Sequence, residues 1–320
     1  MEVIRKGLFR LRQFGGWRLL RAYAKAGVLP VVAKEVARVI IQRRPLKEAY
    51  PAVGRKIVPM LQERYRPLVK ELAEKYQDER LVHEKSDVVW FCWMQGMEQA
   101  PELVKVCLAS QKRWVRGKRF VVITQENYRD YVTLPEDIVR MNEKGIIPHS
   151  NYTDLIRLEL LIKYGGTWID STVLFAGDNY PDKIMDCDLF FFQYLRKGQN
   201  GFAGISSWFI SAYSQNRLLM ILRDMLWQYW RDYDCVVYYY IFHLCFALIA
   251  EEFPEEVAAM PKGNSYRTVQ MAEYLDEAYD KDTMMQLTAL SSIHKLDYRK
   301  NRLLTKDKKP TFYSHIIKGA

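Results

Sequence analysis

NYTDLIRLELLIKYGGTWIDST, residues 151–172, places a helical pattern, a Gly-Gly pair and an apolar run end to end. Leu155, Leu158, Leu161 and Ile162 recur at three- and four-residue steps, which predicts a helix over about 152–164 with these side chains toward a core. Gly165-Gly166 ends that helix, because glycine takes positive φ without a Cβ penalty. The run from about 167 to 175 then predicts a buried strand, and it carries a carboxylate, Asp170, where such strands are otherwise apolar. On an extended strand Asp170 and Thr172 share one side, two oxygen-bearing side chains about 7 Å apart. A carboxylate near a strand's carboxyl end, with a second oxygen beside it, suits a hard divalent cation, Mg2+ or Mn2+. Asp154 and Arg157 stand three residues apart and share a neighbouring helix face. Taken alone, such a pair reads as a solvated ion pair of little energetic weight.

Outward from this stretch, strand and helix patterns alternate. SDVVWFCW, KRFVVIT, DLFFFQ (188–193) and SSWFISA (206–212) read as buried strands. QAPELVKVCLASQKRW, with Pro101 near its start, DIVRMNEKG and NRLLMILRDMLWQYW read as helices. The alternation implies an α/β sheet with parallel neighbours, in which ligands bind beyond the carboxyl ends of the strands. VVYYYIFHLCFALIA (236–250) is shorter than a membrane span and contains three Tyr and a His, so it reads as a buried core helix.

The composition is that of a folded chain: 320 residues, 49% hydrophobic and 13% aromatic, enough for one large core or two smaller ones. The net charge of +10 is uneven. Residues 1–80 hold 19 Lys/Arg against 8 Asp/Glu, and the rest of the chain is close to neutral. That distribution speaks against a nucleic-acid-binding core, whose basic residues would line the binding surface. Residues 1–80 read as a basic helical extension punctuated by Pro30, Pro45, Pro51, Pro59 and Pro67. They lack the apolar region of a signal peptide and the roughly 20 apolar residues of a membrane span. Trp17, Leu19, Leu20 and Tyr23 among arginines offer two readings: a helix lying on an anionic membrane surface through residues 1–50, or an extension packed on its own core. Five cysteines (Cys92, Cys107, Cys187, Cys235, Cys245) form no zinc or redox spacing and suggest buried, reduced thiols. The expected location is cytoplasmic, peripheral on the inner face of the cell membrane.

SNYTDLIRLELLIKYGGTWIDSTVL resembles the D-x-x-R…L-L…GG-x-[YW]-x-D segment of capsular polysaccharide synthesis proteins, bacterial relatives of DxD-type glycosyltransferases of family 32. WFCWMQGMEQAPELVKVCLASQKRW is similar to their W-x-x-W-x-Q-G opening, and SSIHKLDYR (291–299) to their C-terminal K-L signature. The resemblance runs from about residue 86 to 315. It implies an α/β, GT-A-type, Rossmann-like nucleotide-sugar-binding domain over 81–320, after the N-terminal extension of 1–80. It also implies transfer of a sugar from a UDP-linked nucleotide-sugar, with retention, to a glycan or lipid-linked glycan acceptor. Asp170, with Thr172, would hold the divalent cation that bridges the diphosphate. Asp154 and Arg157 would contact the donor sugar as catalytic residues, Trp93 would stack on the nucleobase, and His294 and Lys295 would close over the diphosphate. Thr172 replaces the second acid of the family's D-x-D, which removes one formal charge and weakens the expected hold on metal.

Other residues carry weaker signals. Ser206, Ser207 and Trp208 are candidates for the acceptor side, and YLRKGQNGFAG (194–204) reads as a surface loop or a gating loop. His83, His149, His243 and His315 show no metal-ligand spacing, and Asp182, Asp186 and Asp188 read as turn or cap residues. Asp234 is the nearest acid to a segment that is acidic in relatives, with loose alignment. Two other readings stay open: a non-catalytic scaffold of a capsule-assembly complex, and a nucleotide-sugar hydrolase.

Overall fold

The computed structural model describes residues 16–25, 27–44, 50–77, 81–194 and 204–319. The chain begins with helices α1 (Trp17–Lys25), α2 (Leu29–Ile41) and α3 (Tyr50–Lys75), followed by strand β1 (Val88–Cys92). Next come α4 (Glu102–Trp114), β2 (Arg119–Ile123), α5 (Tyr128–Tyr131), α6 (Glu136–Glu143) and α7 (His149–Tyr164). Strands β3 (Gly166–Ile169), β4 (Val173–Phe175), β5 (Leu189–Gln193) and β6 (Ile205–Ala212) follow. Helices α8 (Arg217–Asp232), α9 (Ile241–Glu252), α10 (Pro254–Ala259), α11 (Ser265–Tyr274) and α12 (Lys281–Leu290) lead to β7 (Ile293–Lys295) and α13 (Phe312–Gly319).

The fold is mixed α/β. Five strands form the main sheet in the order β2-β1-β3-β6-β5. β1 runs parallel to β2 and to β3, as the alternating pattern implies, whereas β6 runs antiparallel to both β3 and β5. β5 and β6 are consecutive in the chain and antiparallel, a pairing that needs no crossover. All residues of β1, β3 and β5 are buried, which accounts for their unbroken apolar runs.

The run from 167 to 175, expected as one strand, is two. β3 ends at Ile169, Asp170–Thr172 form a turn in which Val173 N donates to Asp170 O at 3.1 Å, and β4 leaves to pair antiparallel with β7 in a separate two-stranded sheet. One apolar core, including Ile169, Val173, Phe175, Phe190, Trp208 and Ile293, joins the two sheets. The Gly-Gly pair is required where it stands: Gly165 and Gly166 have φ of +65° and +95°, and a Cβ on Gly166 would meet the carbonyl oxygen of Val88 on the neighbouring strand.

The chain divides into two compact units. The first takes the residues before 80 together with 134–156 and 217–254; the second takes 80–133, 157–216 and the residues from 255 onward. The chain changes unit at residue 80, and the first unit is discontinuous in sequence. Within it, Ile57, Leu61 and Tyr65 of α3 are buried at 1% exposure or less. Tyr65 donates to Asp232 of α8 at 2.9 Å, and Tyr76 to Asp224 of α8 at 2.7 Å. Pro59 and Pro67 lie inside α3, so they do not punctuate the N-terminal region as the sequence suggested. Residues 236–250 do contain a buried helix, α9. The four cysteines 92, 107, 235 and 245 are buried and Cys187 is half-buried, all as free thiols. Among the described residues, no helix is long and apolar enough to cross a membrane.

Candidate functional site at the carboxyl end of β3

Asp170 is the first residue past β3, and its backbone N still donates to Trp208 O of β6 at 2.8 Å. The sheet therefore fixes the backbone from which the carboxylate projects. From α4, Gln111 Nε2 donates to Val173 O at 2.8 Å, with Asp170 O at 3.4 Å, and clamps the turn from a second side. β7 closes the third: its register sets Lys295 opposite Val173, and Leu296 N donates to Thr172 O at 2.8 Å.

The side chains converge on this turn. Asp170 Oδ1 accepts from Trp168 Nε1 at 2.9 Å and from Arg157 Nη2 at 3.4 Å. Asp170 Oδ2 accepts from Lys295 Nζ at 3.0 Å, and the same ammonium donates to Thr172 Oγ1 at 2.5 Å. Arg157 donates through Nη1 to the carbonyl oxygen of Ser207 at 2.5 Å, and its guanidinium lies over the Trp168 ring, 4.7 Å from the centroid. Burial alone would raise the Asp170 pKa. The charges of Lys295 and then Arg157, with the Trp168 hydrogen bond, outweigh burial and hold the carboxyl below its ordinary value. Asp170 is thus a carboxylate at neutral pH, one negative charge against two positive ones.

The donor set differs from what the divalent cation expected from the sequence would need. Magnesium and manganese sites gather several oxygens of net negative charge. Here both Asp170 oxygens accept from protein donors, and the Thr172 hydroxyl faces an ammonium. Among the described residues no group of three or more His, Cys, Asp or Glu side chains could hold a metal. The residues as arranged do not fit a divalent ion; the Lys295 ammonium lies between the two oxygens that would have bound it.

The structure brings Asp170, Thr172, Arg157 and Lys295 together. It does not bring His294 to them. Successive side chains of a strand point to opposite faces, and His294 is 0% exposed while Lys295 is reachable. Burial lowers the His294 pKa to about 4, so the ring is neutral in the interior and offers no charge to a diphosphate. Trp93 follows β1 and is half-buried, edge-on to Tyr298 with ring centroids 5.7 Å apart, and it packs on the apolar cluster of Phe91, Ala100, Val104 and Leu108. Its indole N–H is buried without a partner among the described residues. Asp154 is half-buried on α7, three residues before Arg157, and the division between the units falls between them. Ser207 enters the site through its backbone carbonyl. Ser206 and Trp208 belong instead to the core: Ser206 Oγ donates to Phe192 O at 2.9 Å, and Trp208 stacks on Phe192 at 4.7 Å. Residues 195–203 of the expected gating loop lie outside the described residues.

Sequence reasoning missed Trp168 and Gln111. A tryptophan inside an apolar run and a glutamine on an amphipathic helix both read as packing residues, and only the turn at 170–172 gives them a carboxylate and a carbonyl to hold. A cleft of about 700 Å³ lies elsewhere in the second unit, at the amino ends of β1 and β2, lined by Lys85, Lys118, Arg119, Asp130, Tyr131 and Tyr164. In the parallel part of the sheet that is the end opposite Asp170, and its lining mixes acids and bases without a focused constellation.

Fold and site together define an α/β protein with a cationic, carboxylate-anchored site at the end of a central strand. Over residues 38–316 the sequence matches the profile of the family described as capsular polysaccharide synthesis protein, and the chain belongs to that family. A solved structure titled PaToxG Glycosyltransferase is similar over 81% of this chain and 94% of that chain, at 10% identity and a TM-score of 0.39. At that distance the likeness carries no argument. No curated protein matches the chain.

Proposed function

We propose that this chain is a glycosyltransferase of GT-A type that moves a sugar from a UDP-linked nucleotide-sugar, with retention of configuration, to a capsular or other cell-envelope glycan or its lipid-linked precursor. The observation that carries the reading is the pairing of Asp170 with two cations, Lys295 and Arg157, at the carboxyl end of β3, in a member of a capsule-synthesis family. In such a transfer the bond from the anomeric carbon to the diphosphate oxygen breaks, and the acceptor oxygen bonds to that carbon from the same face. The acceptor's proton departs with the diphosphate. Negative charge grows on the leaving group, and a preorganised cation beside it lowers the barrier. Lys295 supplies that charge. Arg157, fixed by Trp168 and the Ser207 carbonyl, holds Asp170 in place. The family resemblance assigns Asp154 to the donor sugar and Trp93 to the nucleobase.

An anionic membrane surface is the proposed route to a lipid-linked acceptor. Its support is Trp17 and Ile41, 85% and 79% exposed on helices that also carry Arg18, Arg21 and Lys34.

The test is calorimetric titration of UDP and a panel of nucleotide-sugars into wild type and Asp170→Asn. Wild type is expected to bind, and the variant to bind at least about tenfold more weakly, because Lys295 and Arg157 lose their shared anchor. If folded wild type binds no nucleotide, the transferase reading fails and a scaffold in capsule assembly takes its place.

A further inference from the structure

We propose that Lys295 is the resident cation of this site, doing for a nucleoside diphosphate what a divalent metal ion does in a site with two acids. The proposal rests on the nucleotide-sugar reading and specifies how that site works.

Three observations carry it. The first is position: the Lys295 ammonium lies 3.0 Å from Asp170 Oδ2 and 2.5 Å from Thr172 Oγ1, bridging the two oxygens that the sequence offers a metal. The second is charge. A divalent ion needs a carboxylate with charge to give, and the Asp170 carboxylate is already paired with two protein cations, Lys295 and Arg157. A carboxylate so occupied leaves little for a free divalent cation, while the Lys295 ammonium attracts a diphosphate. The third is valence: an ammonium has three N–H donors, of which Asp170 and Thr172 take two. The side chain is 25% exposed, which leaves the third N–H able to meet a phosphate oxygen.

Thr172 has a defined part in this arrangement. A hydroxyl accepts from the ammonium without adding charge, whereas an acid there would neutralise the cluster and compete with the phosphate for Lys295. The Asp170 carboxylate is a positioning group: it fixes the ammonium and does not itself need to touch the ligand.

The experiment uses the full chain and titrates UDP in the presence of EDTA and, separately, of Mn2+. It is repeated for Lys295→Met and Lys295→Arg, with near-ultraviolet circular dichroism as the check on folding. Wild type is expected to bind UDP in EDTA within about threefold of its affinity in Mn2+. Lys295→Met should weaken binding in EDTA at least about tenfold, and Lys295→Arg should retain most of it. Binding that appears only with Mn2+ would overturn the proposal while leaving the nucleotide-sugar reading intact. So would a folded Lys295→Met that binds UDP in EDTA as wild type does. If Lys295→Met does not fold, the wild-type titrations with and without metal decide. Failure of UDP, GDP, ADP and dTDP to bind under either condition would overturn the nucleotide-sugar reading itself, and this inference with it.

Discussion

His294 and Lys295 are neighbours in sequence and opposites in environment. The buried imidazole has its pKa lowered from 6.5 to about 4. Between those values the unfolded chain binds a proton that the folded chain does not, so stability falls as pH drops from about 6.5 toward 4, by up to about 3 kcal/mol. Chemical denaturation of wild type and His294→Leu at several pH values across this window should give a steeper fall for wild type. Equal slopes would show that the ring is not held neutral. Asp170 acts in a lower range: its depressed pKa contributes stability that is complete above the ordinary carboxylate value and lost as pH falls through the folded one. At this scale the sequence was informative where chemistry was unusual. An acid in an apolar run marked Asp170, and the C-terminal motif marked Lys295. It misled on His294, because motif adjacency says nothing of which strand face a residue takes. It was silent on Trp168, whose indole N–H matters only once a carboxylate lies within reach.

The turn at 170–172 and the glycine pair before β3 are the elements on which the site depends. Gly166 combines a positive φ with a Cβ position occupied by the Val88 carbonyl. Gly145 also has a positive φ, +65°, but open space around it. Gly166→Ala should therefore lower the free energy of unfolding by about 3 kcal/mol or more, and Gly145→Ala by only about 1 kcal/mol. Urea midpoints for the two variants provide the comparison, and a similar small loss in both would mean that β3 can move away from β1. The helix, the glycines and the start of the strand were legible from spacing and residue type. The end of the strand was not, because Val173, Leu174 and Phe175 are as apolar as the residues before the turn. They leave the main sheet because β7, from the far end of the chain, offers them a partner.

For the whole molecule, charge and core give different accounts of the N-terminal region. By charge it reads as an appendage. By packing, α3 is part of a core with α8 and α9: Leu61, Leu219, Leu222, Phe246 and Ile249 are all 0% exposed. Removal of residues 1–77 should uncover the apolar faces of α8 and α9 and yield an insoluble or aggregated product. A soluble, monomeric chain starting at residue 78, checked by size-exclusion chromatography, would show that those helices do not need α3. The sequence suggested helices in each of these regions, but the partnership between α3 and α8 joins residues such as Tyr65 and Asp232, 167 positions apart, for which no local pattern exists.

The same long separation has a consequence for when the site comes into being. Every strand of the main sheet lies before residue 213, whereas Lys295 follows Asp170 by 125 residues. At translation speeds of about 5–20 residues per second, the ribosome needs on the order of ten seconds to add that interval. During synthesis the nascent chain therefore holds Asp170 and Arg157 before it holds the ammonium that completes them. The site is complete only once β7 has emerged and paired with the edge of β4.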